Sequence, residues 1–154
     1  MMPKLTIRAE DWVLVSDGHK ALLLANDGDE MFPNLVIRET FSREEVPNRY
    51  LHSDRPGRVH QSAAICKSSV EQTNRQEERE QAFLAEVSAH LADLVDQGQA
   101  RGFIIVAPPR ALGHLRKTYK QGLRSMIRAE VDQDLTKLPT YEIERHLVGV
   151  PRVI

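Results

Sequence analysis

The sequence predicts an α/β domain: a mixed sheet of about five strands, helices on both sheet faces, three layers, in the order β-β-β-α-β-α-β-α. Three observations carry this prediction. First, an apolar run ends in two prolines and passes directly into an amphipathic pattern, Phe103-Ile-Ile-Val-Ala-Pro-Pro-Arg110. That is the pattern of a buried strand feeding a helix through a tight turn. Proline suits a first helical turn, where its missing N–H would have no partner anyway. Second, short apolar runs near the start are separated by Asp17-Gly18 and Asn26-Asp-Gly-Asp29, the punctuation of an antiparallel meander. Third, helix-period segments then alternate with strands. Right-handed crossovers place such strands parallel in a sheet covered by helices.

Each element has its own justification. Trp12-Val-Leu-Val-Ser16 and Ala21-Leu-Leu-Leu-Ala25 flank the Asp-Gly turn as a hairpin. Leu35-Val-Ile-Arg-Glu-Thr-Phe41, rich in β-branched residues, is a third strand. Residues 43–73 hold Pro47, Pro56 and Gly57, show no sustained period, and are expected to form one long polar loop. A helix is expected from about Asn74, with Phe83, Val87, Leu91 and Leu94 on one stripe. Glu77, Glu78 and Glu80 would complement its dipole early, and Gly98 would end it. After the Phe103 strand, a helix over roughly 109–124 turns Leu112, Leu115, Tyr119 and Leu123 inward. Ser125–Val131 alternates as a last strand, and Thr140 is expected to cap a final helix, Tyr141–Leu147, with Ile143 and Leu147 facing in.

Composition narrows the function classes. A chain of 154 residues is expected to be a single domain, residues 1–154 with a core over about 6–148. The formal net charge of -1 argues against a generally basic nucleic-acid binder, while leaving room for a local basic patch. Cys66 is the only cysteine, which excludes a disulfide framework and a thiolate metal site from this chain. No apolar run approaches the roughly 18 residues of a membrane span. The first ten residues lack the apolar core of a secretory signal. The expected location is therefore cytoplasmic, without a membrane partner.

Candidate sites centre on arginines. Arg55 and Arg58 flank Pro56-Gly57 in the long loop, where two guanidiniums can grip phosphates. Lys67, Ser68, Ser69 and Arg75 would extend that surface. Arg110 adds charge to a helix N-terminus, a place that favours anions. Read as one helix face, Arg110, Lys117, Lys120 and Arg124 form a basic stripe able to follow a nucleic-acid backbone. Against these stand plainer roles: a solvated loop, a structural arginine at the sheet edge, a solvated helix face. Asp17, Asp132 and Asp134 are the candidates for a two-metal carboxylate set, but each also suits a turn or cap. The six histidines lack ligand spacing and are expected to be surface or capping residues. No phosphate-binding glycine loop or nucleophile elbow occurs, so no metal and no cofactor is expected.

The chain resembles the bacterial host attachment protein family. The residues that carry the resemblance are Trp12-Val-Leu-Val-Ser-Asp-Gly18, Asp54-Arg-Pro-Gly-Arg58 and Val106-Ala-Pro-Pro-Arg-Ala-Leu-Gly-His-Leu-Arg116. Ala129-Glu-Val-Asp-Gln-Asp-Leu-Thr136 and Glu142-Ile-Glu-Arg-His-Leu147 complete it. The element order is that of ribonuclease-H-like and related translation-factor folds, and the resemblance implies similarity to the middle domain of archaeal and eukaryotic class 1 peptide-chain release factors. Those factors carry a Gly-Gly-Gln loop before a long helix, and Gly57-Arg-Val-His-Gln-Ser-Ala63 stands in the same place. Gln61 matches the glutamine, while Val59 and His60 replace both glycines. Glycine allows φ > 0 and close backbone approach; valine does not.

The resemblance therefore implies a non-catalytic module for the ribosome or structured RNA, linked indirectly to attachment to host cells. Arg55, Arg58, Gln61 and the basic helix face would make its contacts. One alternative is a peptidyl-tRNA or ester hydrolase using Gln61; another is a protein-interaction or signalling module with a protein partner. An edge strand of the meander leaves room for a homodimer.

Overall fold

The computed structural model describes residues 5–43 and 62–148. They form β1 (Trp12–Ser16), β2 (Lys20–Asn26), β3 (Leu35–Ser42), α1 (Ser62–Asp96), β4 (Phe103–Val106), α2 (Pro109–Thr118), α3 (Gln121–Met126), β5 (Ile127–Val131) and α4 (Thr140–Leu147). The five strands make one mixed sheet in the order β3-β2-β1-β4-β5. β1 pairs antiparallel with β2, and β2 with β3. β4 lies parallel to β1, and β5 parallel to β4. Only β2 runs against the rest.

Strand alternation builds the two sides of the core. Leu14, Leu23, Phe103 and Ile105 pack under α1, α2 and α3, against Phe83, Leu84, Val87, Leu91, Leu112 and Leu115. Val13, Val15, Leu22, Leu24, Ile104 and Val106 face the other way, toward Leu5, Ile7, Ile143 and Leu147. The central strands are apolar on both faces because both faces are covered. Each buried leucine or isoleucine contributes about 2 kcal/mol of transfer free energy.

The turn chemistry follows the sequence. Asp17 Oδ1 accepts the backbone N–H groups of His19 and Lys20, both at 2.7 Å, closing the β1–β2 turn. Asn26 is buried; its Oδ1 accepts from Gly28 and Asn34, and its Nδ2 donates to the carbonyl of Arg8. A side chain at Gly28 would put a carbon 2.1 Å from the Phe32 carbonyl oxygen, so only glycine fits there. Gly98, at φ +71°, ends α1, and the Gln99 N–H returns to the Leu94 carbonyl at 3.0 Å.

Several expected boundaries move. α1 begins at Ser62, not near Asn74, so residues 62–73 of the expected loop are helix. That stretch contains good helix formers such as Ala63, Ala64 and Lys67 but no apolar stripe for periodicity to detect. Glu77, Glu78 and Glu80 consequently lie deep within α1, whose first turn holds no acid; the dipole is not what they answer. The helix expected over 109–124 breaks after Thr118, where Tyr119 and Lys120 are extended. The last strand starts at Ile127 because Ser125 and Met126 close α3. Thr140 is the first helical residue of α4 rather than its cap; Pro139 holds the cap position without a side-chain hydrogen bond. His114 is buried rather than at the surface.

Candidate functional site

Chain direction marks one place on this sheet for a site. From β1 the chain turns outward to β2, while from β4 it crosses to β5 on the opposite side. The carboxyl ends of β1 and β4 therefore diverge, and such a switch point is where open α/β sheets bind ligands. Here that edge is filled by the protein's own charges. Glu80 of α1 lies over Gly18, at which an added Cβ would come within 2.8 Å of the Glu80 Cδ. Arg110, two residues past Pro108, reaches Glu80 at 3.5 Å and Glu77 at 4.0 Å. His19 Nε2 stands 3.8 Å from Glu80 Oε1, and Arg43 contacts the same imidazole. This network fastens α1 to the turn after β1, to the end of β3 and to the start of α2.

The expected site residues are distributed unevenly. Arg55, Arg58 and Gln61 lie outside the described residues, as do the side chains of Cys66, Lys67, Ser68 and Ser69. His52 and His60 are outside them too. Arg110 lies in the strand-edge network beside Glu80 and Glu77, and Pro109 has no N–H to offer an anion. The stripe of Arg110, Lys117, Lys120 and Arg124 is not one helix face, because the extended residues 119 and 120 separate α2 from α3. Lys117, Lys120 and Arg124 are all exposed, and Arg124 Nη2 donates to the Arg116 carbonyl at 3.2 Å.

Asp17 and Asp134 answer to turn chemistry. Asp134 Oδ1 accepts the Thr136 hydroxyl at 2.7 Å, while Asp17 Oδ2 lies 3.3 Å from that oxygen. Asp132 is exposed. Among the described residues no group of three His, Cys, Asp or Glu side chains is arranged to hold a metal ion.

A second polar cluster, not foreseen from the sequence, sits where α2, α3 and β5 meet. Glu130 is buried on β5 with its side chain 5% exposed. Arg116 Nε and Nη2 both reach Glu130 Oε1, at 3.0 and 2.9 Å. The Tyr119 hydroxyl lies 3.4 Å from Glu130 Oε2. The break after Thr118 is what turns Tyr119 toward this carboxylate. Burial, reinforced by the negative charge of Glu130, pushes the Tyr119 phenol far above its ordinary range. Hydrogen bonding to Glu130 raises Arg116 as well. A bulge at the start of the β4–β5 ladder makes the cluster possible: pairing passes from Phe103–Ile127 to Ile104–Ala129, skipping Arg128. The skip puts Glu130 on the face under the helices and leaves Arg128 to pair with Asp11. No spacing rule finds this; a glutamate inside an apolar strand, Ile-Arg-Ala-Glu-Val, was the signal available.

Residues 12–147 match the protein family described as "Protein required for attachment to host cells". The chain belongs to this family. The match starts at the first residue of β1 and ends at the last of α4, so it takes in the sheet, the strand-edge network and the Glu130 cluster. No curated protein matches the sequence. Among the described residues of this family member, no helix is long and apolar enough to cross a membrane.

Proposed function

We propose that the protein serves attachment to host cells indirectly, as a non-catalytic cytoplasmic module that binds the ribosome or structured RNA. The observation that carries this reading is the length and direction of α1. From Glu80 to Asp96 the helix crosses the sheet from its strand-edge joint to the amino end of β4. Ser62 lies eighteen positions before Glu80, so at ~1.5 Å per residue the helix begins roughly 27 Å along its axis from that joint. Residues 73–76, 78 and 79 are exposed on the way. The sequence bearing Arg55, Arg58 and Gln61 leads directly into the start of this helix, a setting that suits contact with a large polyanion.

The same features favour a ribonuclease-H-like, release-factor-middle-domain-like fold. They are the order β3-β2-β1-β4-β5, β2 alone running antiparallel, and a long helix after the meander. Sedimentation of lysate through sucrose at low and moderate salt tests the reading. Co-migration with ribosomal fractions, weakened by salt and lost in Arg55→Ala/Arg58→Ala, is the expected result. A protein that stays at the top of the gradient removes the ribosome as a partner. Peptide release from charged peptidyl-tRNA, lost in Gln61→Ala, would instead establish the hydrolase alternative.

A further inference from the structure

We propose that the cavity between α2, α3 and β5 binds one nucleotide unit, its base against Tyr119 and Ile127 and its phosphate between Arg116 and Arg124. The cavity is open to solvent, has a volume of about 350 Å³ and is lined by Arg116, Tyr119, Arg124, Ile127 and Glu130. That volume lies within the range of small-molecule sites. The lining pairs an aromatic ring and an aliphatic side chain with two guanidiniums. Every nucleobase has a π face to lay on an aromatic or apolar wall. Phosphate oxygens are the preferred partners of a guanidinium fork. With two arginines against one glutamate, the lining carries one net positive charge, which suits an anion.

Glu130 adds selectivity. Its Oε1 already takes two N–H groups from Arg116. Its Oε2 is met, among the described residues, by the Tyr119 hydroxyl at 3.4 Å. A carboxylate oxygen has room for about two donors, so Oε2 can accept one more from an exocyclic amino group. Adenine, cytosine and guanine supply such a group. Uracil presents its N–H between two carbonyl oxygens and fits less well.

The proposal deepens the RNA-binding reading and rests on it for the source of the nucleotide. A free mononucleotide and an unpaired nucleotide of RNA present the same chemistry. NMR titration of the whole chain with adenosine 5′-monophosphate, uridine 5′-monophosphate, inorganic phosphate and a short oligoadenylate separates them. The expected result is saturable shifts centred on the amides of residues 116–130, with phosphate alone about tenfold weaker than the adenosine nucleotide. Tighter binding of oligoadenylate identifies RNA as the source, and equal binding identifies the free nucleotide. Arg124→Ala, at an exposed position outside the core, should weaken nucleotide binding about tenfold with the remaining spectrum unchanged.

Shifts that never saturate, or that ignore Arg124→Ala, overturn the site. Equal affinity for the uridine nucleotide overturns the role given to Glu130. Failure here is distinguishable from failure of the ribosome reading. Nucleotide binding by a protein that stays at the top of the gradient leaves the cavity standing alone. Co-migration lost only in Arg55→Ala/Arg58→Ala, without nucleotide binding, leaves the ribosome reading without the cavity.

Discussion

Helix α2 meets a carboxylate near each end, and the two meetings differ. At its start Arg110 approaches Glu80 at 3.5 Å; toward its end Arg116 reaches Glu130 at 2.9 Å. The two arginine side chains are similarly open, 61% and 53% exposed, but Glu80 is 15% exposed and Glu130 only 5%. The burial of the carboxylate therefore separates the two pairs. An open pair is attenuated by water and salt, whereas a buried carboxylate that loses its donors keeps the full cost of its own desolvation. The strand-edge pair is a fastening for α1, and the Glu130 pair is a condition for burying a charge under α2 and α3.

The sharpest way to break this contrast is to remove Arg116. Arg116→Met keeps an alkyl stem against Tyr119 but withdraws both N–H donors from Glu130 Oε1. It should destabilise the protein by about 2 kcal/mol, the cost of stripping donors from a buried charged acceptor. Urea unfolding measures this directly. A loss no larger than that of Arg110→Met would mean Glu130 finds another donor.

Alkaline pH probes the same pocket from Tyr119. Burial and the neighbouring Glu130 charge raise its folded-state phenol above the ordinary tyrosine value of about 10, so the native state holds a proton that the unfolded chain releases. The sign follows: this contribution is fully present below pH 10 and is lost as pH rises above it. The wild type should then lose about 1.4 kcal/mol of stability per pH unit above pH 10 beyond what Tyr119→Phe loses. Tyr141 is 58% exposed and provides the contrast: Tyr141→Phe should leave that slope in place. Ultraviolet titration of phenolate beside unfolding curves reads both.

Gly18 tests the strand-edge side. A Cβ there would meet Glu80 Cδ at 2.8 Å and Cγ at 2.9 Å, so Glu80 must swing away from Arg110 and His19. Gly18→Ala should cost about 1 kcal/mol or less, because the obstructing atoms belong to a flexible side chain. The cost should vanish in a Glu80→Ala background, as expected when two substitutions act on one contact. Persistence of the cost would place the strain in the turn backbone instead.

Sequence patterns captured what depends on local chemistry and missed what depends on distant partners. Asp17-Gly18, Asn26 and Gly98 announced their turns, because a side-chain acceptor or a left-handed backbone is a property of a few adjacent residues. The Phe103 strand and the Pro109 helix start were equally legible. The start of α1 was not: hydrophobic periodicity reports packing, and residues 62–73 offer no apolar stripe. The break at Tyr119 was hidden because Leu112, Leu115, Tyr119 and Leu123 have the spacing of one unbroken stripe. Glu130 was hidden for a third reason. A strand's alternation tells which face a residue takes only until a bulge intervenes, and the skip at Arg128 moves Glu130 to the helix-covered face.

Salt separates the two pairs at the smallest scale. Glu80→Gln keeps the shape of the side chain but removes the charge that faces Arg110 and His19. At low ionic strength it should cost about 0.5 kcal/mol, in the range of open ion pairs. At about 1 M salt, where screening acts within roughly 3 Å, that cost should fall toward zero. The cost of Arg116→Met should change little over the same range, because its larger part is the desolvation of Glu130 rather than attraction across solvent. Parallel urea unfolding of both variants at the two salt concentrations makes the comparison. Equal salt sensitivity would show that attraction across solvent, rather than the desolvation of Glu130, sets both costs, and the distinction between a fastening and a burial condition would then fail.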